Sequence, residues 1–207
     1  MIGAAAQPEI IGLLGATGSG KTQYLKRYLL TPRPRRLLVW DFSPEDEYAQ
    51  LGHVLPLPDV IGELQAAKAG PFGLVFKPSF DDKRRAREFE LFCRAAYLAG
   101  NLTMVVEELR YVTQPALSPP GWRLVVLTGR KRGLRVIGTS QRPAHIDKDF
   151  LGNATRLHVG LLNYRDDVQV MAQELGVDAA QVSGLPFLHW IELDRRTRQL
   201  SRGQLIF

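Results

Sequence analysis

The chain has 207 residues, 45% of them hydrophobic and 23% charged, which is typical of a soluble globular protein. This length fits a single α/β domain over 1–207, with a core of about 8–175 and a C-terminal extension of about 176–207. Its single cysteine excludes an internal disulfide. No segment is long and apolar enough for a membrane span, and none has the pattern of a secretory signal. We therefore expect a cytoplasmic protein without a transmembrane segment. The net charge of +6 suggests a polyanionic partner.

Short, nearly continuous apolar runs alternate with helical patterns along the chain. The runs predict strands at 10–14, 37–42, 72–76, 102–106 and 134–138. Helices are predicted at 21–30, 58–69, 81–98, 121–132 and 164–175, and a C-terminal strand pair at 187–193 and 199–207. Because buried parallel strands have continuous apolar sequences, this order predicts an α/β fold with a mainly parallel central sheet flanked by helices.

The first predicted strand leads into a glycine-rich loop that fits the pattern G-x-x-x-x-G-K-[ST], namely Gly15-Ala16-Thr17-Gly18-Ser19-Gly20-Lys21-Thr22. Glycines allow backbone N–H groups to surround phosphates, and the N-terminus of the following helix adds a positive dipole. We expect Lys21 to reach the β- and γ-phosphates and the Thr22 hydroxyl to bind Mg²⁺. The loop therefore predicts a P-loop NTPase with ATP and Mg²⁺ as cofactors.

The strand predicted at 102–106 ends in two adjacent acids, Glu107 and Glu108, in the Walker B pattern. A Mg-nucleotide site needs one carboxylate for the metal's waters and a base for the attacking water. Glu107, where Asp is usual, is assigned to Mg²⁺ through water, and Glu108 is assigned as the general base. Asp41, which follows Leu38-Val39-Trp40, is a second candidate at the same sheet edge, and a turn cap is an equally good interpretation of it.

Two polar segments flank the strand predicted at 134–138. Thr139-Ser140-Gln141-Arg142-Pro143 follows it, and an amide such as Gln141 at a strand end can contact the γ-phosphate or the attacking water. Gly129-Arg130-Lys131-Arg132-Gly133 precedes it. We expect this basic cluster to lie about one turn from the active-site edge, where an arginine can serve a neighbouring subunit. The alternative is a solvated charged surface.

These motifs together resemble the FtsK/HerA superfamily of DNA-pumping ATPases. The resemblance spans residues 10 to about 175, and its most specific part is the segment 129–143 with the Gln-Arg-Pro sequence. The compact size without a membrane anchor is most similar to the genome-packaging ATPases of tectivirus-like, membrane-containing viruses. The resemblance implies a RecA-like fold, Gln141 as a sensor, and Arg130 as an arginine finger acting in trans, with Arg132 and Arg156 as alternatives.

The function implied by this resemblance is ATP-driven packaging of double-stranded DNA into a capsid. Members act as homo-oligomeric rings, usually hexamers, with DNA in the central channel. A packaging role adds capsid-vertex or membrane-associated viral proteins as partners and places the chain in the host cytoplasm or at a virion vertex. Three alternatives stay open: another DNA translocase or helicase of this type in conjugation, repair or phage assembly, a P-loop small-molecule kinase, and a nucleotide-gated assembly factor.

No base-reading motif is evident, so DNA contacts are expected at phosphates, without sequence preference. Basic residues cluster at 33–36, 83–87 and 195–198. We expect one cluster to line the channel, and the best candidates are Lys83, Arg84, Arg85 and Arg87. The histidines at 53, 145, 158 and 189 lack metal-ligand spacing and are expected to be ordinary structural or surface residues. Cys93 is expected to be a buried thiol on a helix.

Overall fold

The computed structural model describes residues 7–206. Its strands are β1 (Ile10–Leu14), β2 (Arg36–Trp40), β3 (His53–Val54), β4 (Phe72–Phe76), β5 (Thr103–Val106), β6 (Arg135–Ser140), β7 (Arg156–Val159), β8 (His189–Asp194) and β9 (Gln199–Gln204). They form one sheet in the order β3-β4-β2-β5-β6-β1-β7-β8-β9. Strands β1 to β7 pair in parallel, whereas β8 and β9 are antiparallel. The predicted mainly parallel α/β fold is confirmed.

The helices cover both faces of this sheet. They are α1 (Lys21–Tyr24), which continues as a π-helical turn over Leu25–Leu29, α2 (Leu57–Ala66), α3 (Asp82–Ala99), α4 (Pro120–Thr128), α5 (Lys148–Asn153), α6 (Arg165–Leu175) and α7 (Ala179–Ser183). Short 3₁₀ turns lie at Leu109–Tyr111, Gly129–Arg132 and Pro143–His145. Within residues 7–206, no helix combines the length and apolarity needed to cross a membrane.

Alternate residues of the strands pack into two hydrophobic cores, as the period of two in a strand requires. In β1, Ile10 and Leu14 belong to the larger core, which lies under α2 to α7. Ile11 and Leu13 point the other way, into a smaller core with the α1 segment, Tyr48 and Leu205 among its members. The sheet is therefore buried on both sides, which explains the continuous apolar runs in the sequence.

Most predicted elements are present within a few residues of their expected bounds. Helix α3 begins where the Asp81 carboxylate accepts a hydrogen bond from the Arg84 backbone N–H at 2.8 Å, and it ends at Gly100 with φ of 58°, as the cap signals indicate. The sequence patterns do not predict β3, β7, α5 or α7, which are short elements with few apolar residues. The last residue of the predicted strand 199–207 and residues 1–6 lie outside the described residues.

The parallel arrangement gives the sheet two chemically different edges. The loop 15–22 follows β1, Glu107 and Glu108 follow β5, and Gln141 follows β6, so all of them lie at what we call the carboxyl edge. The turn Gly129–Arg132 precedes β6 and lies at the opposite, amino edge. A strand of five residues separates the two edges by about 15 Å.

Candidate active site

The glycine-rich loop is held on one side by β6 and on the other by the segment that follows β7. The Gly15 N–H donates to the Ser140 carbonyl at 3.1 Å, and the Ala16 N–H donates to the Leu161 carbonyl at 2.7 Å. Gly18 and Gly20 have φ of 77° and 88°, in the left-handed region that glycine adopts without strain. At Gly20 a Cβ atom would also collide with the Leu205 side chain. The loop is thus a compact cradle whose backbone runs where the side chains of larger residues would collide.

Lys21 lies over this cradle. Its Nζ donates to the carbonyls of Gly15 at 2.7 Å and Ala16 at 3.0 Å. Burial lowers the pKa of Lys21, while the charges of Glu108 and Glu107 act in the opposite direction. The cation therefore sits between the loop and the two acids.

A phosphate group fits the residues that form the cradle. The Ser19 hydroxyl is buried and has no hydrogen-bond partner in the part of the chain that the structure describes. The Thr22 side chain is half-buried at the first turn of α1, and the helix N-terminus favours an anion there. A buried hydroxyl without a partner, a half-buried cation and left-handed glycines together match the requirements of a triphosphate.

The two adjacent acids have different surroundings. The Glu107 Oε1 accepts a hydrogen bond of 2.6 Å from the Tyr48 hydroxyl, and both side chains are buried. Burial raises the pKa of Glu107 to about 7, although the Tyr48 hydrogen bond opposes the shift. Tyr48 has no motif around it, and its contact joins residues far apart in the sequence, so sequence reasoning missed it.

Glu108 faces the β6 side of the loop. Its backbone is left-handed, with φ of 53° and ψ of 61°, a conformation that non-glycine residues adopt mainly where surrounding contacts enforce it. Its N–H donates to the Thr139 hydroxyl at 3.2 Å, and its carboxylate accepts from the Gln141 N–H at 3.4 Å. Burial raises the pKa of Glu108, and the positive charge of Lys21 partly reverses that shift.

Gln141 and Asp41 occupy distinct positions at the carboxyl edge. The Gln141 Oε1 accepts a hydrogen bond of 2.9 Å from the Thr17 hydroxyl, which ties the end of β6 to the glycine-rich loop. Asp41 is buried, and its Oδ1 accepts from the Ser43 N–H at 3.0 Å. Asp41 therefore caps the turn after β2, and its Oδ2 lies 3.8 Å from the Lys77 amine.

The position predicted for the basic cluster at 129–133 is wrong. The cluster precedes β6 and therefore lies at the amino edge, about one strand length from the loop of its own chain. Arg130 is exposed there. Of the two alternatives to Arg130, Arg132 donates to the Leu98 carbonyl at 2.8 Å, and Arg156 lies 3.3 Å from Glu9.

One residue of the predicted DNA-binding cluster also needs correction. Arg85 is only 5% exposed. Its guanidinium donates to the Phe80 carbonyl at 2.9 Å and pairs with Asp82, so it is not available to a phosphate. Lys83, Arg84 and Arg87 are exposed, and Arg84 pairs with Glu88 at 2.8 Å.

A buried aromatic cluster connects α1 to the C-terminal strands. His158 stacks on Tyr24 with 3.7 Å between ring centroids, and its Nδ1 lies 3.2 Å from Glu192 Oε2. The Tyr24 hydroxyl donates to the same carboxylate at 2.7 Å. The structural role predicted for His158 is confirmed. Cys93 is a buried free thiol on α3, as predicted.

The comparisons with known proteins agree with this arrangement. No protein-family model matches the chain. Protein P9 of Pseudoalteromonas phage PM2 is 27% identical over 177 residues, which are 84% of this chain and 78% of P9. The genome packaging NTPase B204 from Sulfolobus turreted icosahedral virus 2, in complex with AMPPCP, matches with a TM-score of 0.76 at 15% identity and covers 98% of this chain and 100% of B204.

A third similar protein is the bacterial conjugative coupling protein TrwB, whose TrwBΔN70 form matches with a TM-score of 0.68 at 13% identity over 97% of this chain and 85% of that form. The chain has the fold of these ATPases. The fold implied by the sequence resemblance is confirmed, including its closeness to a viral genome-packaging NTPase.

The raised pKa of Glu107 makes stability depend on pH. In the unfolded chain this carboxyl titrates near its ordinary value of about 4.3, so between about pH 4.5 and 7 the folded protein binds more protons and stability falls as pH rises. Glu107→Gln removes this titration and keeps an acceptor for Tyr48. From pH 5 to pH 8 the free energy of unfolding of the wild type should therefore fall by about 2–3 kcal/mol more than that of the variant.

Urea unfolding at both pH values measures this difference. Glu63→Gln, at an exposed glutamate on α2, is the matched control and should keep the pH dependence of the wild type. If Glu107→Gln also keeps it, the carboxyl of Glu107 is not the group that titrates.

Proposed function

We propose that this chain is an ATP-hydrolysing motor that translocates double-stranded DNA into a viral capsid. The observation that carries the proposal is the meeting of Lys21, Glu108 and Gln141 around one glycine-rich loop at the carboxyl edge. Packaging is favoured among DNA motors because B204, a genome packaging NTPase, matches over its whole length. The match to TrwB supports a second candidate, a DNA translocase of the conjugative type.

Each residue of the site has a role in this proposal. Lys21 and the backbone of the loop bind the phosphates. Thr22 and Glu107 would hold Mg²⁺, Glu107 through water, and the ion when bound neutralises phosphate charge. Glu108 accepts the proton of the attacking water, for which a raised pKa is suitable. Gln141 orients this water and senses the terminal phosphate.

Substitutions at Lys21 and Glu108 separate binding from hydrolysis. Lys21→Ala should abolish nucleotide binding or turnover, because the phosphates lose their main cation. Glu108→Gln keeps the shape of the side chain but removes the base, so ATP should still bind while turnover falls by about 10²–10⁴-fold. Steady-state phosphate release and equilibrium ATP binding measure the two effects.

Lys26→Ala is the control, since Lys26 lies on the same helical segment but pairs with Glu47 at 3.1 Å. Wild-type turnover in Glu108→Gln would remove the assignment of the base. If Glu107→Gln lowers turnover more than Glu108→Gln while ATP still binds, the two acids exchange roles.

We further propose that the chain works as a homo-oligomeric ring, most simply a hexamer, in which Arg130 serves the nucleotide of the neighbouring subunit. Its place at the amino edge, about 15 Å from its own loop, is compatible with action in trans. Capsid-vertex or membrane-associated viral proteins are the proposed docking partners of this ring.

Arg130→Ala should therefore fold and bind ATP but turn over about 10³–10⁵-fold more slowly, the range measured for arginine fingers. Mixing Arg130→Ala with Glu108→Gln should restore part of the activity, because some interfaces then combine an intact base with an intact finger. Lys131→Ala, at the adjacent exposed position, is the control. A fully active monomer, or no recovery after verified subunit exchange, contradicts the role in trans.

DNA binding is proposed to rest on contacts to phosphates at Lys83, Arg84 and Arg87. Binding should weaken with salt, with log K falling by about 0.9 per phosphate contact per decade of salt. Replacing all three residues with Ala should flatten this slope and abolish stimulation by DNA, while basal ATPase activity remains. Fluorescence anisotropy of labelled duplex DNA across a salt series measures the slope.

The control variant replaces three exposed basic residues elsewhere with Ala and so removes the same charge. These residues are Arg35, Lys131 and Arg198. If the control and the first variant lose DNA binding equally, net charge and not the 83–87 surface is responsible. Assembled rings that neither bind duplex DNA at low salt nor respond to it would contradict the motor itself.

A further inference from the structure

The glycine-rich loop has two flanks within the sheet, and they differ in chemistry. On the β6 flank lie Glu108 and Gln141, the groups that the proposed function places at the terminal phosphate. On the β7 flank the loop meets backbone, since the Leu161 carbonyl accepts from the Ala16 N–H at 2.7 Å. With the terminal phosphate at Glu108, as the proposed function has it, the side of the loop left for the nucleoside is the flank of β7 and the C-terminal hairpin β8–β9.

The turn that leads into the C-terminal hairpin carries an exposed aromatic ring at this flank. Phe187, two residues before β8, is 64% exposed. Its Cε2 atom lies 3.8 Å from the position that a Cβ atom would take on Gly18. An aromatic ring is thus open to solvent directly beside the backbone of the loop, where it can present a flat apolar face to a ligand.

The turn that carries Phe187 is held from both sides. The His189 N–H donates to the Pro186 carbonyl at 3.1 Å, and the Leu205 N–H donates to the Leu188 carbonyl at 2.9 Å. Leu188 has φ of 61°, which is uncommon for leucine and requires support from its surroundings. Its side chain packs 3.3 Å from the Cβ position of Gly20, so the loop itself provides part of that support.

We propose that Phe187 stacks on the base of bound ATP and that the C-terminal hairpin forms the base-binding wall of the site. This proposal rests on the proposed nucleotide-binding function and adds the residue that recognises the nucleoside. Stacking on an aromatic ring accepts any base with a π-face, so Phe187 contributes affinity for ATP and GTP alike.

Two ligands and two substitutions test the stacking role. Isothermal titration calorimetry gives Kd for ATP and for inorganic tripolyphosphate, both with Mg²⁺, on wild type, Phe187→Ala and Phe187→Trp. Phe187→Ala should bind ATP about 10-fold more weakly or worse, the range found when a stacking aromatic is truncated. Phe187→Trp should retain ATP affinity, and tripolyphosphate, which has no base, should bind all three proteins equally.

Phe80→Ala is the matched control, because Phe80 is an exposed phenylalanine (76%) that packs on Phe42 and not on the loop. An unchanged ATP affinity in Phe187→Ala overturns the proposal. An equal loss for ATP and tripolyphosphate also overturns it, since Phe187 would then act through the shape of the loop. Wild-type protein that binds neither ligand overturns the proposed function itself. If tripolyphosphate binds and the Kd for ATP is the same in wild type and both Phe187 variants, only the stacking role is overturned.

Discussion

The close approach of backbone to backbone in the glycine-rich loop is the constraint on which the rest of the structure depends. Several N–H groups can converge on one phosphate only where no Cβ atoms intervene. Gly15 and Gly160 leave room for Ser19, which packs between them, and Gly20 leaves room for Leu205. Because β1 lies between β6 and β7 in the sheet, hydrogen bonds fix the loop on both flanks. On one flank the Gly15 N–H donates to Ser140, and on the other the Ala16 N–H donates to Leu161.

A second constraint is the cost of burying charge at the carboxyl edge. Burial lowers the pKa of Lys21 and raises that of Glu107 and Glu108, so each group is less stable in its charged form there than in water. The Tyr48 hydroxyl offsets part of this penalty at Glu107. The two hydrophobic cores must supply the remaining stability, and the same unfavourable burial keeps the acids available to bind a cation or to transfer a proton.

Sequence reasoning succeeded where the signal is local. The loop 15–22 and the polar residues at the ends of β5 and β6 follow from short motifs and the parallel order of the strands. Tyr48 and the contact of Phe187 with the loop depend on tertiary packing between distant segments, for which no pattern exists. Arg130 was placed at the wrong edge because its segment precedes a strand instead of following it, and Arg85 was misjudged because a run of charges does not reveal which side chain faces the core.

The site also has a direct mechanical link to the body of the protein. The Thr17 hydroxyl donates to Gln141, and the next residue, Arg142, donates to the buried carboxylate of Asp167 on α6 at 2.7 Å. Arg142 also lies 3.8 Å from the centroid of the Tyr164 ring. Asp167 in turn accepts from the Ala144 N–H at 2.9 Å. Because every step of this chain is a short polar or stacking contact, Gln141 is coupled to α6, and under the proposed function this coupling is the route by which the loss of a terminal phosphate reaches parts of the protein away from the nucleotide.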